Sequence, residues 1–497
     1  MPIVFLLHQS NTPLAVAKDD WVHLLQRDGV LAPGGFLGEY VSLCDIPIFS
    51  QINIKDETMN YHFVETNNEK YVLDVRKSLI YKINSDYKER LMLLNNNYSG
   101  DELADDVEMK KLTEEGERFI AEKASELTKQ EFRLESLTII LTSACNLRCK
   151  YCYGGGEWIP QIMSFETAKK AIDFLVKNRS SSYLTIIFFG GEPLMNFPLL
   201  EQIVNYCKSI QEKISVEFDY SITTNGTLVT ERIATFFDNN NFHVNISIDG
   251  DKETHDRCRC DIHGQGTYDD VIQGISKIPL EKRTARGTIT GKNTNVDELF
   301  HSLAAVGFSN VHFEIVTSAE DGVKIDEKGV ANYIACYKKL CDEAYNLIVS
   351  GESNLKERIY GPIKDDLEKL SKQTLRTHFC KAAKQYIAVD VDGKLYPCHR
   401  YIGKPQYSIG DIINGFSQSR ERYIQTSIFT QNHCNRCWAR YLCGGGCDNE
   451  AETLNNDIRV PIEIKCDIRK KMLYEGLILY LRLREAGVDN IDTLFSN

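Results

Sequence analysis

Basic charge, membrane-length apolar runs and a targeting segment are what this chain of 497 residues lacks. Its formal net charge is −12, and no strongly basic stripe balances it, which argues against a nucleic-acid partner. The longest apolar stretch past the first residues, around Leu473 to Leu483, is broken by Glu475 and Arg482 and falls short of a membrane span. Met1 to Leu7 has no basic flank, and Gln9, Ser10 and Asn11 end its apolar run too early for a signal peptide. These absences predict a cytoplasmic protein without membrane contact. Disulfides are disfavoured in that compartment, so the sixteen cysteines need another purpose. Metal binding is the default reading of such a count.

The rest of the composition is that of an ordinary globular chain, long enough for roughly two to four domains. Residues 1 to 130 carry a single cysteine, Cys44, and no metal spacing. Tyr61–Glu65 and Lys70–Asp74 read as short strands with Asn67 and Asn68 in the turn between them, and Leu79–Ile83 as a third. Helical patterns follow, one opening at Ser99–Leu103 and one over Leu112 to Leu127. From about 135, apolar runs at Leu137–Leu141, Leu184–Phe189, Val216–Ile222, Val244–Ile248, Gly287–Thr290 and Val311–Val316 alternate with amphipathic segments. Among these segments are Glu166–Lys177, Leu199–Lys213 and Val296–Val306. Such a βα repeat implies parallel strands with right-handed crossovers, in an open sheet or a barrel. A helical connector, Val330–Ile348, leads to a third region, where seven of the sixteen cysteines fall between 380 and 466.

The densest chemical signal lies just past the first of these strands. Cys145, Cys149 and Cys152 are spaced C-x3-C-x2-C on one loop, with Tyr151 directly before the third. Three close thiolates suit three irons of a cubane cluster, and no fourth cysteine follows to take the last iron. That iron is free to chelate a small molecule through its amino and carboxylate groups, and the spacing points to S-adenosylmethionine. Structural zinc instead takes four ligands, usually as two pairs. The loop resembles the signature of the radical SAM enzymes. One βα unit later, Gly190-Gly191-Glu192-Pro193 offers two glycines for close backbone approach and a carboxylate for an ammonium. It is similar to that family's motif for the SAM amino group. Ser247 and Asp249, at i and i+2 past the fourth strand, point the same way and are expected at the ribose, although an Asx turn gives the same pattern. Asn225 after the third strand is a similar, less specific candidate. Arg259 or Arg286 could fork onto the SAM carboxylate, or form surface ion pairs. Cys44, Cys207, Cys258, Cys260, Cys336 and Cys341 read as ordinary free thiols.

The C-terminal cysteines, taken alone, suit zinc ribbons as well as clusters. Beside the three-Cys loop they resemble the SPASM extension of radical SAM enzymes, which holds two auxiliary iron–sulfur clusters. The resemblance implies that Cys434, Cys437, Cys443 and Cys466 ligate one and that Cys380, Cys398 and Cys447 hold the other. The second set is one ligand short; a side chain such as His399, water or a substrate thiol would complete it. The fold implied is α/β: a partial (β/α)6 TIM-type barrel over 131–370, flanked by two further domains. One is an N-terminal winged-helix-like α+β domain over 1–130, with a leader-recognition element at about 58–130. The other is a Cys-rich SPASM domain over 371–497. The activity implied is modification of a ribosomally made precursor peptide by a 5′-deoxyadenosyl radical, with cross-linking expected. The cofactors would be three [4Fe–4S] clusters and S-adenosylmethionine, and the electron donor a flavodoxin or ferredoxin. Anaerobic sulfatase maturation is the alternative; relatives of that kind place an Asp where this chain has His399.

Overall fold

The computed structural model describes residues 60–66, 69–95, 133–154, 160–316 and 323–495, with single positions at 115, 116, 118, 119 and 122. Its centre is one ten-stranded sheet. Six strands enter it in sequence order: β4 (Ser136–Ile140), β5 (Tyr183–Phe189), β6 (Glu217–Thr224), β7 (His243–Ser247), β8 (Arg283–Ile289) and β9 (Asn310–Ile315). All five of their pairings are parallel. Helices cross between consecutive strands, as parallel pairing demands.

Side-chain alternation explains how the sheet sits. Leu184, Ile186 and Phe188 of β5, Ile222 of β6, Val244 and Ile246 of β7 and Ala285 of β8 are fully buried. This face packs against the helices. On the opposite face the same strands carry Thr185, Ser221, Thr223, Asn245, Ser247, Arg286 and Thr288, half-buried or exposed. Period-two strands present one set of residues to each side, so an apolar wall and a polar wall follow directly from the sequence. The first crossover helix shows the matching helical pattern. Phe165–Lys177 starts at Ser164, whose hydroxyl accepts from Thr167 N at 3.0 Å, and buries Ala168, Ala171, Ile172 and Leu175 at i, i+3, i+4 and i+7. Each large aliphatic side chain so buried contributes about 1.5–3 kcal/mol.

The C-terminal region continues the same sheet. β10 (Tyr386–Val389) pairs in parallel with β4, Tyr386 opposite Ser136. β11 (Lys394–Tyr396), β12 (Gly410–Asp411) and β13 (Gly415–Phe416) then extend the edge in antiparallel fashion. Two C-terminal helices, α1 (Asp448–Asn455) and α2 (Glu463–Glu485), complete the region.

A second, three-stranded antiparallel sheet is formed by β1 (Tyr61–Glu65), β2 (Lys70–Asp74) and β3 (Leu79–Lys82) in that order. Its Val64, Leu73 and Val75 share one core cluster with Trp438, Tyr441, Leu442, Leu473, Leu477 and Leu481. The expected turn residues Asn67 and Asn68, and nearly all of the helical patterns at 99–103 and 112–127, lie outside the described residues. Strand β8 begins at Arg283, four residues before the apolar run that announced it. The reason is that Arg283 is itself buried, donating to Ile275 O at 2.9 Å and lying over the Phe308 ring at 5.4 Å. Among the described residues no helix is long and apolar enough to cross a membrane.

Candidate active site and cysteine centres

The three-Cys loop leaves the C-terminal end of β4 and is clamped from two sides. On one side, Gly191 N donates to Thr142 O at 2.9 Å and Glu192 N to Ala144 O at 2.8 Å. A Cβ on Gly191 would lie 2.2 Å from Ala144 O, and one on Gly190 2.4 Å from Thr142 O. The glycine pair is therefore needed for the turn after β5 to press on the loop's own backbone. On the other side, Arg148 N donates to Cys260 O at 2.7 Å and Lys150 N to Cys258 O at 3.0 Å. The Cys260 thiol donates to Arg148 O at 3.2 Å. Cys258 and Cys260, unremarkable in the sequence, thus belong to a segment that runs antiparallel to the loop.

Asp249 is the hub beneath the loop. Its carboxylate, 1% exposed, accepts from Thr288 N at 2.8 Å, from the Arg259 guanidinium at 3.1 Å and from the Tyr151 hydroxyl. Arg259 also lies over the Tyr151 ring at 5.3 Å. Tyr151, Asp249 and Arg259, each named separately from the sequence, therefore meet. Ser247 ends β7 opposite Arg286, which faces the polar side of the sheet and makes no ion pair among the described residues. Of the two arginines named for the carboxylate, Arg259 is held by Asp249, whereas Arg286 makes no ion pair among the described residues.

Glu192 is 1% exposed. It accepts from Leu194 N at 3.0 Å, the Thr224 hydroxyl at 2.7 Å and Asn225 N at 2.7 Å. Burial pushes its carboxyl up to about 7, against the pull of these donors. Asn225 reaches the loop itself, donating to Asn146 Oδ1 at 2.9 Å. Pro193 starts a single 3-10 turn behind Glu192. Sequence reading missed Asn146, whose only signal is its place between two of the loop's cysteines.

The cysteines fall into three sets. Cys145 and Cys149 are both raised by burial, Cys149 to about 12; Cys149 feels Cys145 and Cys152, and Cys145 feels Cys152. Cys380, Cys398 and Cys447 form a second set; burial raises all three, Cys447 to about 12, and Cys398 feels both others. Cys434 and Cys466, each pushed by burial to about 12, stand within electrostatic reach of Cys437 and Cys443. Among the described residues no three His, Cys, Asp or Glu side chains converge as tightly as one metal ion requires. Buried thiols raised this far become thiolates only against a strong local cation, so the donor chemistry fits a cluster.

Between the first two sets lies an aromatic group that the sequence did not announce. His399 Nδ1 is 2.8 Å from the Tyr386 hydroxyl, and its ring centroid is 4.6 Å from Phe189 and 6.3 Å from Tyr153. Burial lowers its imidazole to about 3, so it is neutral. Next to it, Arg400 pairs with Glu450 at 2.7 Å. The only sequence signal was position: Tyr153 follows Cys152, and His399 follows Cys398.

The three-Cys loop thus sits at the C-terminal end of a strand in a mostly parallel α/β sheet. Residues 139–324, from β4 past β9, match the family model of the Radical SAM superfamily. Over that stretch the chain is similar to an enzyme superfamily whose members use a [4Fe–4S] cluster and S-adenosylmethionine. It is 27% identical over 349 residues to a cysteine-type anaerobic sulfatase-maturating enzyme of Clostridium novyi (strain NT), covering 64% of this chain and 90% of the relative. It is 24% identical over 388 residues to the radical SAM cyclopropyl synthase TigE of Paramaledivibacter caminithermalis, covering 72% and 76%. The solved structure of native anSMEcpe with bound AdoMet aligns with a TM-score of 0.60 at 21% identity, covering 70% of this chain and 99% of that one. At that identity the likeness is one of fold.

Proposed function

We propose that this enzyme is a peptide maturase that cross-links a ribosomally made precursor, through a thioether or carbon–carbon bond. The observation that carries the reading is the small sheet at residues 61–82. Its strand β3 has no further partner strand among the described residues, while its other elements are fixed to the body through Val64, Leu73 and Val75. An open edge on a rigid base is suited to receive an extended peptide as an added strand. In this reading residues 1–130 form the winged-helix-like recognition domain, 131–370 a partial (β/α)6 barrel and 371–497 a SPASM domain.

Cys145, Cys149 and Cys152 would hold the cluster that binds S-adenosylmethionine; the other two thiol sets would hold auxiliary clusters. When bound, the reduced cluster and S-adenosylmethionine supply a 5′-deoxyadenosyl radical. The protein contributes placement. Gly190, Gly191, Glu192 and Pro193 would shape the floor under the methionyl amino group. Arg286 would meet the carboxylate, with Arg259 behind it. Asn225, Ser247 and Asp249 would border the ribose, and Tyr151 would fix the loop. The partners are a precursor peptide and an electron donor of the flavodoxin or ferredoxin kind.

The match that spans 90% of the sulfatase-maturating relative favours a second reading, oxidation of a sulfatase side chain. Mass spectrometry separates the two. The reconstituted enzyme is incubated with S-adenosylmethionine, a reductant and either a precursor peptide or a sulfatase peptide. A cross-link in the precursor supports maturation; formylglycine in the sulfatase peptide alone sinks it.

A further inference from the structure

Four arginines are buried among the described residues: Arg76, Arg259, Arg283 and Arg440. Arg76 pairs with Asp74 at 3.2 Å and Arg259 with Asp249 at 3.1 Å. Arg283 has no carboxylate, but its two terminal nitrogens donate to Ile275 O at 2.9 Å and Val306 O at 3.4 Å. Arg440 is different. It is 4% exposed, and among the described residues no carboxylate pairs with it. Its guanidinium donates to Cys437 O at 3.1 Å and lies over the Tyr441 ring at 5.3 Å.

Arg440 opens the single helical turn Arg440–Cys443, so it stands on the chain between two members of the Cys434 set and is bonded to the backbone of one of them. A guanidinium keeps its charge at any ordinary pH, and a buried cation without a counter-charge is costly. A cubane closed by four thiolates supplies that counter-charge, since it is an anion and becomes more negative on reduction. We infer that Arg440 is the buried counter-charge of a cluster held by Cys434, Cys437, Cys443 and Cys466, and that it raises the potential at which this cluster accepts an electron. Net charge and burial are two of the levers that set such potentials. The inference rests on the reading of these four thiols as cluster ligands.

The test uses the full chain with Cys145, Cys149 and Cys152 changed to Ala, reconstituted anaerobically, so that only the two C-terminal sites report. Midpoint potentials are read by titration with dithionite followed by electron paramagnetic resonance, with iron content measured alongside. Cys398→Ala, added to this background, identifies the signal of the Cys434 set as the one that persists. Arg440→Gln and Arg440→Met should each disfavour reduction of that cluster at least tenfold, a shift of about 59 mV to more negative potential for one electron. Arg440→Lys, which keeps a cation, should recover most of it. Arg436→Gln makes the same change of charge at an exposed side chain between Cys434 and Cys437, where water screens it, and should leave the potential unchanged. The parent's potential in Arg440→Gln and Arg440→Met, an equal shift in Arg436→Gln, or a shift in Arg440→Lys as large as in the neutral variants overturns the inference. Should the neutral variants lose iron from this site, Arg440→Lys decides. Iron kept there supports the counter-charge, and iron lost there as well overturns it, because shape rather than charge would then be at stake. A different failure belongs to the underlying reading: if Cys437→Ala changes neither iron content nor spectrum, the set holds no cluster at all.

Discussion

The imidazole of His62 lies flat on the indole of Trp438, ring centroids 3.9 Å apart and planes 5° from parallel. His62 belongs to β1, whereas Trp438 directly follows Cys437. Burial lowers His62 to about 4, so the stack is between neutral rings. The small sheet is therefore built onto the wall of the Cys434–Cys466 set. Removing residues 1–130 would strip Val64, Leu73 and Val75 from Trp438, Leu473 and Leu477 and could not leave the remainder intact.

Trp438→Ala should destabilise the protein by about 3–5 kcal/mol, the usual cost of deleting a buried aromatic. Chemical denaturation of the reconstituted protein measures it. Iron should be lost preferentially from the Cys434, Cys437, Cys443 and Cys466 set, because the indole backs the chain between its ligands. An unchanged unfolding midpoint would show that the stack is incidental.

Peptide capture can be tested without truncation. Ile83 N donates to Lys70 O at 2.9 Å, so by alternation the amides of Ile80 and Lys82 face away from β2. Lys82→Pro removes one outward donor and spares the ladder to β2. It should weaken binding of a labelled precursor by roughly tenfold, about the worth of one or two lost strand hydrogen bonds. Uncoupled cleavage of S-adenosylmethionine should not change. Fluorescence anisotropy and chromatography of 5′-deoxyadenosine read the two quantities, and an unaltered affinity would place the peptide elsewhere.

Much of this architecture was legible because it is local. β1 and β2 fall where the alternating runs put them, and Leu184, Ile186 and Phe188 bury one face of β5 as their spacing requires. The C-x3-C-x2-C loop and the Gly190–Pro193 turn were visible as motifs. Contacts between distant segments were not. β10 has four residues, too few to show a period, and its partner β4 lies some 250 positions earlier. Nothing near Cys258 or Cys260 betrays that their backbone grips the three-Cys loop. Asp249 and Arg259 were both noticed, but their pairing depends on how β7 and the following helix are placed, which no spacing rule supplies.

Changing Cys145, Cys149 and Cys152 together to Ala should remove about four of about twelve irons, if each set holds a four-iron cubane. Cleavage of S-adenosylmethionine should stop while the absorption of the remaining clusters persists. The other two sets keep their own thiols, so they should load normally. Loss of all iron would mean that the sets assemble as one unit, and stoichiometric zinc in the unaltered protein would remove the cluster reading.

The titration of Glu192 gives a prediction with a definite sign. Its folded value of about 7 stands above the ordinary 4.5. A carboxyl raised on folding contributes stability that is fully present below the unfolded value and lost as pH rises through the folded one. Glu192→Gln keeps the shape and an acceptor for Asn225 N or Leu194 N but cannot ionise. The advantage of the parent over the variant should therefore shrink from about pH 5 to about pH 8. At about 1.4 kcal/mol per unit, the loss is of the order of 2–3 kcal/mol. Paired unfolding curves at the two pH values, without S-adenosylmethionine, cancel the other groups that titrate in this range. A constant difference would mean that Glu192 ionises normally, with water or a cation reaching the turn. With S-adenosylmethionine present, an ammonium beside the carboxylate should favour its charged form and abolish most of the pH dependence, which links the turn's stability to occupancy of the site.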